Sequence, residues 1–260
     1  SGSAVLDGDY GVSCMGHGAV TTVAGAGSFG VAVDVSGNVY ITDAGDRIQK
    51  WAPGASEGVT VAGGNGQGSA SNQLHHPYAV VVDNLGNLYI ADSYNSRIQK
   101  WAPGATEGVT VAGSDEGGSA DHQLNQPWGV AVDDSGNVYV VDHGNRRVQK
   151  WVPGATSGIT VATTGNNPFG IALDVSDNVY VADHSTMSVQ KWVPGAISGV
   201  TVAGVSGSPG SAANQFYYPN GIAIDSSGNL YVVDGGNNRI QKWLPGASEG
   251  VTIAGGNGEG

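Results

Sequence analysis

Few side chains in this 260-residue sequence are suited to chemistry: six His, one Cys, and 22 Asp or Glu set against 10 Lys or Arg. His143 and His184 each follow an Asp at the end of a β-branched run, so they stand at equivalent places in two neighbouring units. A two-His metal site is one reading of that pattern, and a pair of solvated loop histidines is the plainer one. His122 reads as a lone solvated loop residue. Cys14 and His17 have the spacing of a nucleophile and its base, but no third group to orient them and no oxyanion signal accompanies them. A buried free thiol is the expectation there. One Cys excludes an internal disulfide and a Cys-rich zinc site. The Gly-rich stretch GGNGQGSASNQL and its relatives are rich in Gly like a phosphate cradle, yet they lack the strand-loop-helix context and a following Lys. No catalytic residue, metal ligand set or cofactor follows from these groups.

The elements that must position any site come from an internal repeat. An Asp closing a short apolar run recurs at Asp34, Asp83, Asp133, Asp174 and Asp225, with spacings of 49, 50, 41 and 51 residues. A second Asp follows at Asp43, Asp92, Asp142, Asp183 and Asp234, and then a Trp at Trp51, Trp101, Trp151, Trp192 and Trp243. Each unit reads as four strands. GVAVD and NVYIT flank a Ser-Gly-Asn turn, RIQKW alternates apolar and polar positions, a Pro-Gly-Ala turn follows, and VTVAG completes the set. Four strands repeating every 40 to 50 residues predict an all-β fold, a β-propeller of four-stranded blades. The 44 Gly show no collagen period, and apolar runs of about five residues span no membrane.

The pattern G-[VI]-A-[VIL]-D, GN-[VL]-Y-[IV]-x-D, N-x-R-[IV]-Q-K-W resembles the NHL-repeat family of propellers over residues 29 to 255. The resemblance implies six blades. Five complete units are present, at 29–77, 78–127, 128–168, 169–219 and 220–260. Residues 1–28 form an irregular segment with an extra fourth-strand copy, AVTTVAG, preceded by AVLD and YGVSC as two shortened strands. Six blades with a degenerate N-terminal one are favoured, with a five-bladed ring as the alternative. Peptidylamidoglycolate lyases of this type hold zinc through His residues just before the first strand; the matching residues here are Tyr78, Trp128, Phe169 and Asn220, so that activity is not supported. Gluconolactonase-like propellers hold a cation partly through Asn in P-N-G-[LI]. Pro219-Asn220-Gly221-Ile222 matches that motif, but without the companion acids.

Residues present in every unit are best explained by the blade, and the function belongs to what differs. The residue before the first strand is Phe29, Tyr78, Trp128, Phe169 or Asn220. On the connecting segments nearby lie His75, His76, Gln126, Asn167, Tyr217 and Tyr218. Aromatics ringed by amides and histidines suit a glycan, peptide or aromatic ligand at a channel mouth, or else they plug the channel and cap the core. The candidate ligand-binding set is Phe29, Tyr78, Trp128, Phe169, Asn220, His76, Gln126 and Tyr218.

Nine of the ten cations occupy the repeat's own R-x-Q-K positions, Arg146 being the exception, and the formal net charge is −12. Nothing is left over to neutralise phosphates, which excludes nucleic acid and disfavours an acidic membrane surface. The expected function is a monomeric, non-catalytic binding or protein-interaction propeller. Its partner would be a protein, peptide or glycan taken by the loop face and channel mouth. The alternative is a metal-dependent lyase or lactonase/hydrolase-like propeller with a channel-centred site. A third reading is a recently amplified or engineered scaffold, since RIQKWAPGA is identical in two units. No secretory signal occurs in these residues, while low charge and Gly, Ser and Asn richness point to an extracellular or periplasmic setting.

Overall fold

A computed structural model describes residues 29–114 and 116–256 in full, and 3–7, 11–16 and 19–24 as backbone. Five antiparallel sheets each hold four consecutive strands in sequence order. The first blade is β4 (Val31–Val33), β5 (Val39–Asp43), β6 (Arg47–Trp51) and β7 (Val59–Gly63). The second is β8 (Pro77–Val82), β9 (Leu88–Asp92), β10 (Arg97–Trp101) and β11 (Val109–Gly113). The third is β12 (Pro127–Val132), β13 (Val138–Asp142), β14 (Arg147–Trp151) and β15 (Ile159–Thr163). The fourth is β16 (Pro168–Leu173), β17 (Val179–Asp183), β18 (Ser188–Trp192) and β19 (Val200–Gly204). The fifth is β20 (Pro219–Ile224), β21 (Leu230–Asp234), β22 (Arg239–Trp243) and β23 (Val251–Gly255).

The favoured count of six blades is corrected to five. The N-terminal segment makes only a three-stranded sheet, of β1 (Ser3–Asp7), β2 (Gly11–Gly16) and β3 (Ala19–Ala24). Its β2 pairs with the fourth-strand copy β3 with the same kind of register shift that joins the third and fourth strands of the full blades, and β1 pairs with β2, so among the described residues the strand without a counterpart is the first. The Cys14–His17 pair lies outside the described side chains. The chain divides into two compact units, Ser1–Val138 with Trp151–Gly158, and Tyr139–Lys150 with Ile159–Gly260.

Each repeated polar residue closes a local account of hydrogen bonds. Asp34 accepts from the backbone N–H groups of Ser36 and Asn38 at 2.9 Å, from the Asn38 side chain at 2.7 Å, and from the Tyr40 hydroxyl at 3.1 Å. One carboxylate therefore fixes the first hairpin turn and the root of the next strand. Asp83 and Asp225 make the same four bonds, and the repeat Lys sits 5.0 to 5.4 Å above the Tyr ring in all five blades.

The second Asp accepts a turn amide in two blades, Gly45 N on Asp43 Oδ1 and Ser185 N on Asp183 Oδ1 at 2.7 Å, and in others it also holds an Arg. Asp92 and Asp234 each hold the Arg five residues on through Nε at 2.8 Å, and Asp142 does so at 2.7 Å. That Arg reaches outward to a connecting loop: Arg97 donates to Ser69 O, Ala70 O and Gln73 O, and Arg239 to Ser211 O, Ala212 O and Gln215 O. Blade four breaks the pattern. Its connecting loop is short, Ser188 replaces the Arg, and Asp183 Oδ2 is buried without a hydrogen-bond donor. Asp183 Oδ1 alone is satisfied, by Ser185 N at 2.7 Å and Ser185 Oγ at 2.6 Å.

Apolar burial lies at blade boundaries. In the first unit Trp101 packs with Tyr40, Ile48, Ala62, Leu74 and Ile90; in the second, Trp243 packs with Ala182, Val189, Ala203, Phe216 and Val232. In both units the repeat Trp thus lies between neighbouring blades. Each of these connecting loops inserts one fully buried side chain, Leu74 or Phe216, against the Gly that ends the preceding fourth strand; Leu124 does the same at Gly113. A Cβ at Gly63 would stand 2.9 Å from Leu74 Cδ1, and one at Gly204 would stand 2.7 Å from Phe216 Cδ2. Glycine is required there by contact as well as by its φ of +68° and +81°.

Three outcomes follow. Phe216→Ala is expected to cost about 3–5 kcal/mol in chemical denaturation, against about 1 kcal/mol or less for Ile253→Ala at a half-exposed site. Asp234→Asn should cost about 3–5 kcal/mol because it strands Arg239, whereas Asp183→Asn should change stability by about 1 kcal/mol or less, since no cation faces it. Urea midpoints of the four variants decide both comparisons. For acid unfolding, burial pushes the Asp174 carboxyl up, but the Asn178 side chain, the turn amides and Tyr180 outweigh it and lower it to about 2. The Asn229 side chain leads in lowering Asp225 to about 2. Folded values below the unfolded one mean that this stability is complete above about pH 4 and is lost as pH falls toward 2. A denaturation series over that window checks it.

Candidate functional site

The candidate residues stand where each first strand begins, and the backbone there is unusual. His76, Gln126 and Tyr218 each precede a Pro, a position that normally forces extended backbone. Instead they adopt left-handed φ values of 50°, 49° and 56°. Such a conformation costs about 1–3 kcal/mol for a bulky residue and persists only where neighbours enforce it. The enforcing contacts come from the preceding blade: His76 N donates to Asp46 Oδ1 at 2.7 Å, and Tyr218 N to Met187 Sδ at 3.4 Å. All three side chains are exposed.

In the first unit the structure brings Phe29, Tyr78 and Trp128 together as a ladder. Phe29 stacks on Tyr78 with centroids 4.7 Å apart, and Tyr78 on Trp128 at 5.0 Å with planes 8° apart. Thr42 Oγ1 anchors its base by accepting from Phe29 N at 3.1 Å and Gly30 N at 2.8 Å. Tyr94, 51% exposed, packs on His75 and His76 with centroids at 5.0 and 4.6 Å. Sequence reasoning passed over Tyr94 because other units place Gly or Ser at its position, so no repeat signal marks it.

In the second unit Phe169, Asn220 and Tyr218 come together around two histidines. His184 stacks on Phe169 at 3.7 Å, and His143 meets the Phe169 edge at 5.9 Å. His184 Nε2–H donates to Asn220 Oδ1 at 2.6 Å, while Nδ1 lies 3.5 Å from Asn167 Nδ2. His143 Nδ1–H donates to the Pro168 carbonyl at 2.9 Å. These bonds fix both tautomers, since a carbonyl can only accept. The reading of these histidines as solvated loop residues is corrected: both are half-buried against Phe169, because their blades offer an aromatic ring next to the turn. Burial is the leading influence on both rings and lowers their proton affinity, so they are neutral at pH 7. His184 also stands 5.2 Å, ring to ring, from Tyr218, which packs on Tyr217 at 4.3 Å.

Each of the two clusters presents apolar ring surface edged by amide, imidazole and phenol groups. It can stack against a planar or C–H-rich ligand face and exchange hydrogen bonds at the edges. Among the described residues, no group of three or more His, Cys, Asp or Glu is placed to hold a metal ion.

Comparison with known proteins agrees with the blades. The NHL repeat model matches residues 74–101, 124–151 and 216–243, each running from the buried Leu or Phe of a connecting loop to the repeat Trp. No curated protein sequence matches the chain. Among solved structures it is similar to a streptogramin B lyase, with 13% identity, a TM-score of 0.59, and coverage of 92% of this chain and 77% of that one. At that identity the likeness speaks to fold alone. The chain is an all-β propeller that carries NHL repeats.

Proposed function

We propose that the chain is a non-catalytic binding propeller that recognises a protein, peptide or glycan through the residues at its first-strand starts. The observation that carries this reading is the left-handed, exposed conformation of His76, Gln126 and Tyr218 beside half-exposed aromatic rings. A position that favours Gly on backbone grounds carries imidazole, amide and phenol instead, at a cost to stability that recognition would justify. The nine repeat cations are engaged elsewhere, with the repeat Arg on Asp and the repeat Lys over Tyr, which supports neutral ligands over phosphate-bearing ones.

A second reading, a metal-dependent lyase or hydrolase-like propeller, is favoured by the two neutral histidines flanking Phe169 with Asn220 beside them. Titration calorimetry with zinc and magnesium distinguishes the two, because the binding reading expects no stoichiometric uptake.

For the binding reading, the wild-type chain is screened against immobilised glycans and a random-peptide library. His76→Gly, Gln126→Gly, Tyr218→Gly and Trp128→Ala are then compared on the hits. The three Gly variants should keep the melting temperature while weakening binding at least about tenfold for one or more hits. Hits that bind all four variants as well as wild type would place recognition elsewhere on the molecule.

A further inference from the structure

We propose that Asp183, together with the hydroxyl oxygens of Ser185, Thr186 and Ser188, forms a buried site for a hard monovalent cation, sodium or potassium. All four residues lie within the second unit. The equivalent carboxylates in other blades show what such a group requires. Asp92, Asp142 and Asp234 are fully buried. Each has its Oδ2 engaged by two nitrogen donors: Nδ2 of the Asn three residues on, at 2.8 to 2.9 Å, and Nε of the Arg five residues on. The guanidinium brings the positive charge without which a buried carboxylate is costly.

Blade four keeps the burial and loses both donors. Asp183 is 2% exposed, yet Thr186 stands at the place of the Asn and Ser188 at the place of the Arg. Its Oδ2 has no hydrogen-bond donor among the described residues, so no side-chain cation replaces the guanidinium there. His143 and His184, close enough to feel its charge, are themselves neutral at pH 7. The hydroxyl protons are used elsewhere. Ser188 Oγ donates to Thr186 Oγ1 at 2.9 Å, Thr186 Oγ1 to the Asp183 carbonyl at 3.3 Å, and Ser185 Oγ to Asp183 Oδ1 at 2.6 Å. What these groups still offer is oxygen lone pairs. Two nitrogen donors have thus given way to oxygen ligands beside one uncompensated carboxylate.

Carboxylate, hydroxyl and carbonyl oxygens are the ligands that hard cations take. A single carboxylate balances one positive charge, the same charge that the guanidinium carries in the sister blades. Gly165 keeps side chains away from this oxygen: a Cβ there would stand 2.5 Å from Asp183 Oδ2 and closer still to Ser185 Oγ. Gly165 is not left-handed, so these contacts rather than backbone conformation call for glycine. The turn that the cation braces also carries His184, stacked on Phe169, and Met187, which accepts from Tyr218 N.

The test compares melting temperatures of the 260-residue chain in sodium, potassium and choline chloride at equal ionic strength, with a chelator present. Choline keeps general screening constant and is too bulky to enter a buried site. The wild type is expected to melt about 2–4 °C higher in one or both alkali salts than in choline chloride, with a rise that saturates. Asp183→Asn should melt at one temperature in all three salts. Thr186→Val keeps the shape and removes one oxygen, so it should need at least about tenfold more alkali salt for the same rise. Equal melting of the wild type in all three salts overturns the proposal and leaves a proton as the neutralising partner. An alkali-dependent rise that persists unchanged in both variants overturns it too. So does a response, without chelator, to millimolar calcium chloride alone, which would contradict the single charge.

Discussion

Everything in this molecule depends on covering the apolar face of a four-stranded sheet. A single blade cannot bury its own valines and isoleucines, because a sheet has two faces and the chain supplies only one layer. The neighbouring blade does it, and the contact is sealed by a Leu or Phe inserted over a glycine. That contact fixes the spacing of the repeat, the retention of Gly at the strand end, and the need for a connecting loop long enough to carry the anchor. Arg97 and Arg239 then hold their loops in place while being held themselves by a buried Asp. Where the loop is shortened, before blade four, the Arg, the anchor and the Gly are lost together, and Asp183 is left with an unsatisfied oxygen.

Much of this was legible in the sequence, because repeated residues report on repeated contacts. The strands, the turns between them and the repeat positions of the two Asp and the Trp could be read from spacing and alternation. The Asp–Arg pairing could not, since it joins residues whose separation of four or five does not itself reveal the bent turn between them. The N-terminal segment was over-read: its fourth-strand copy does pair with a strand of its own, but among the described residues the sheet has three strands and no counterpart of a first strand.

The candidate site was legible in membership but not in arrangement. Phe29, Tyr78, Trp128, Phe169 and Asn220 stood out because they vary where the repeat otherwise does not. The stacking of Phe29, Tyr78 and Trp128, and the engagement of His143 and His184 with Phe169, depend on side-chain directions that no one-dimensional pattern carries. The left-handed backbone at His76, Gln126 and Tyr218 was hidden for a related reason: a residue before Pro signals extended chain, and at His76 and Tyr218 it is contacts from the preceding blade that oppose that preference. The two sets of residues are thereby separated by task, with repeat positions holding the scaffold and varied positions lying over it.

That separation is tested most directly by measuring the stability of every single substitution along the chain, using resistance to proteolysis as the readout. The account predicts low tolerance at the anchors, the buried Asp–Arg pairs and the boundary Trp residues, and high tolerance at His76, Gln126, Tyr218 and Phe29. Equal intolerance at both sets would contradict it, because the aromatic rim would then be part of the core.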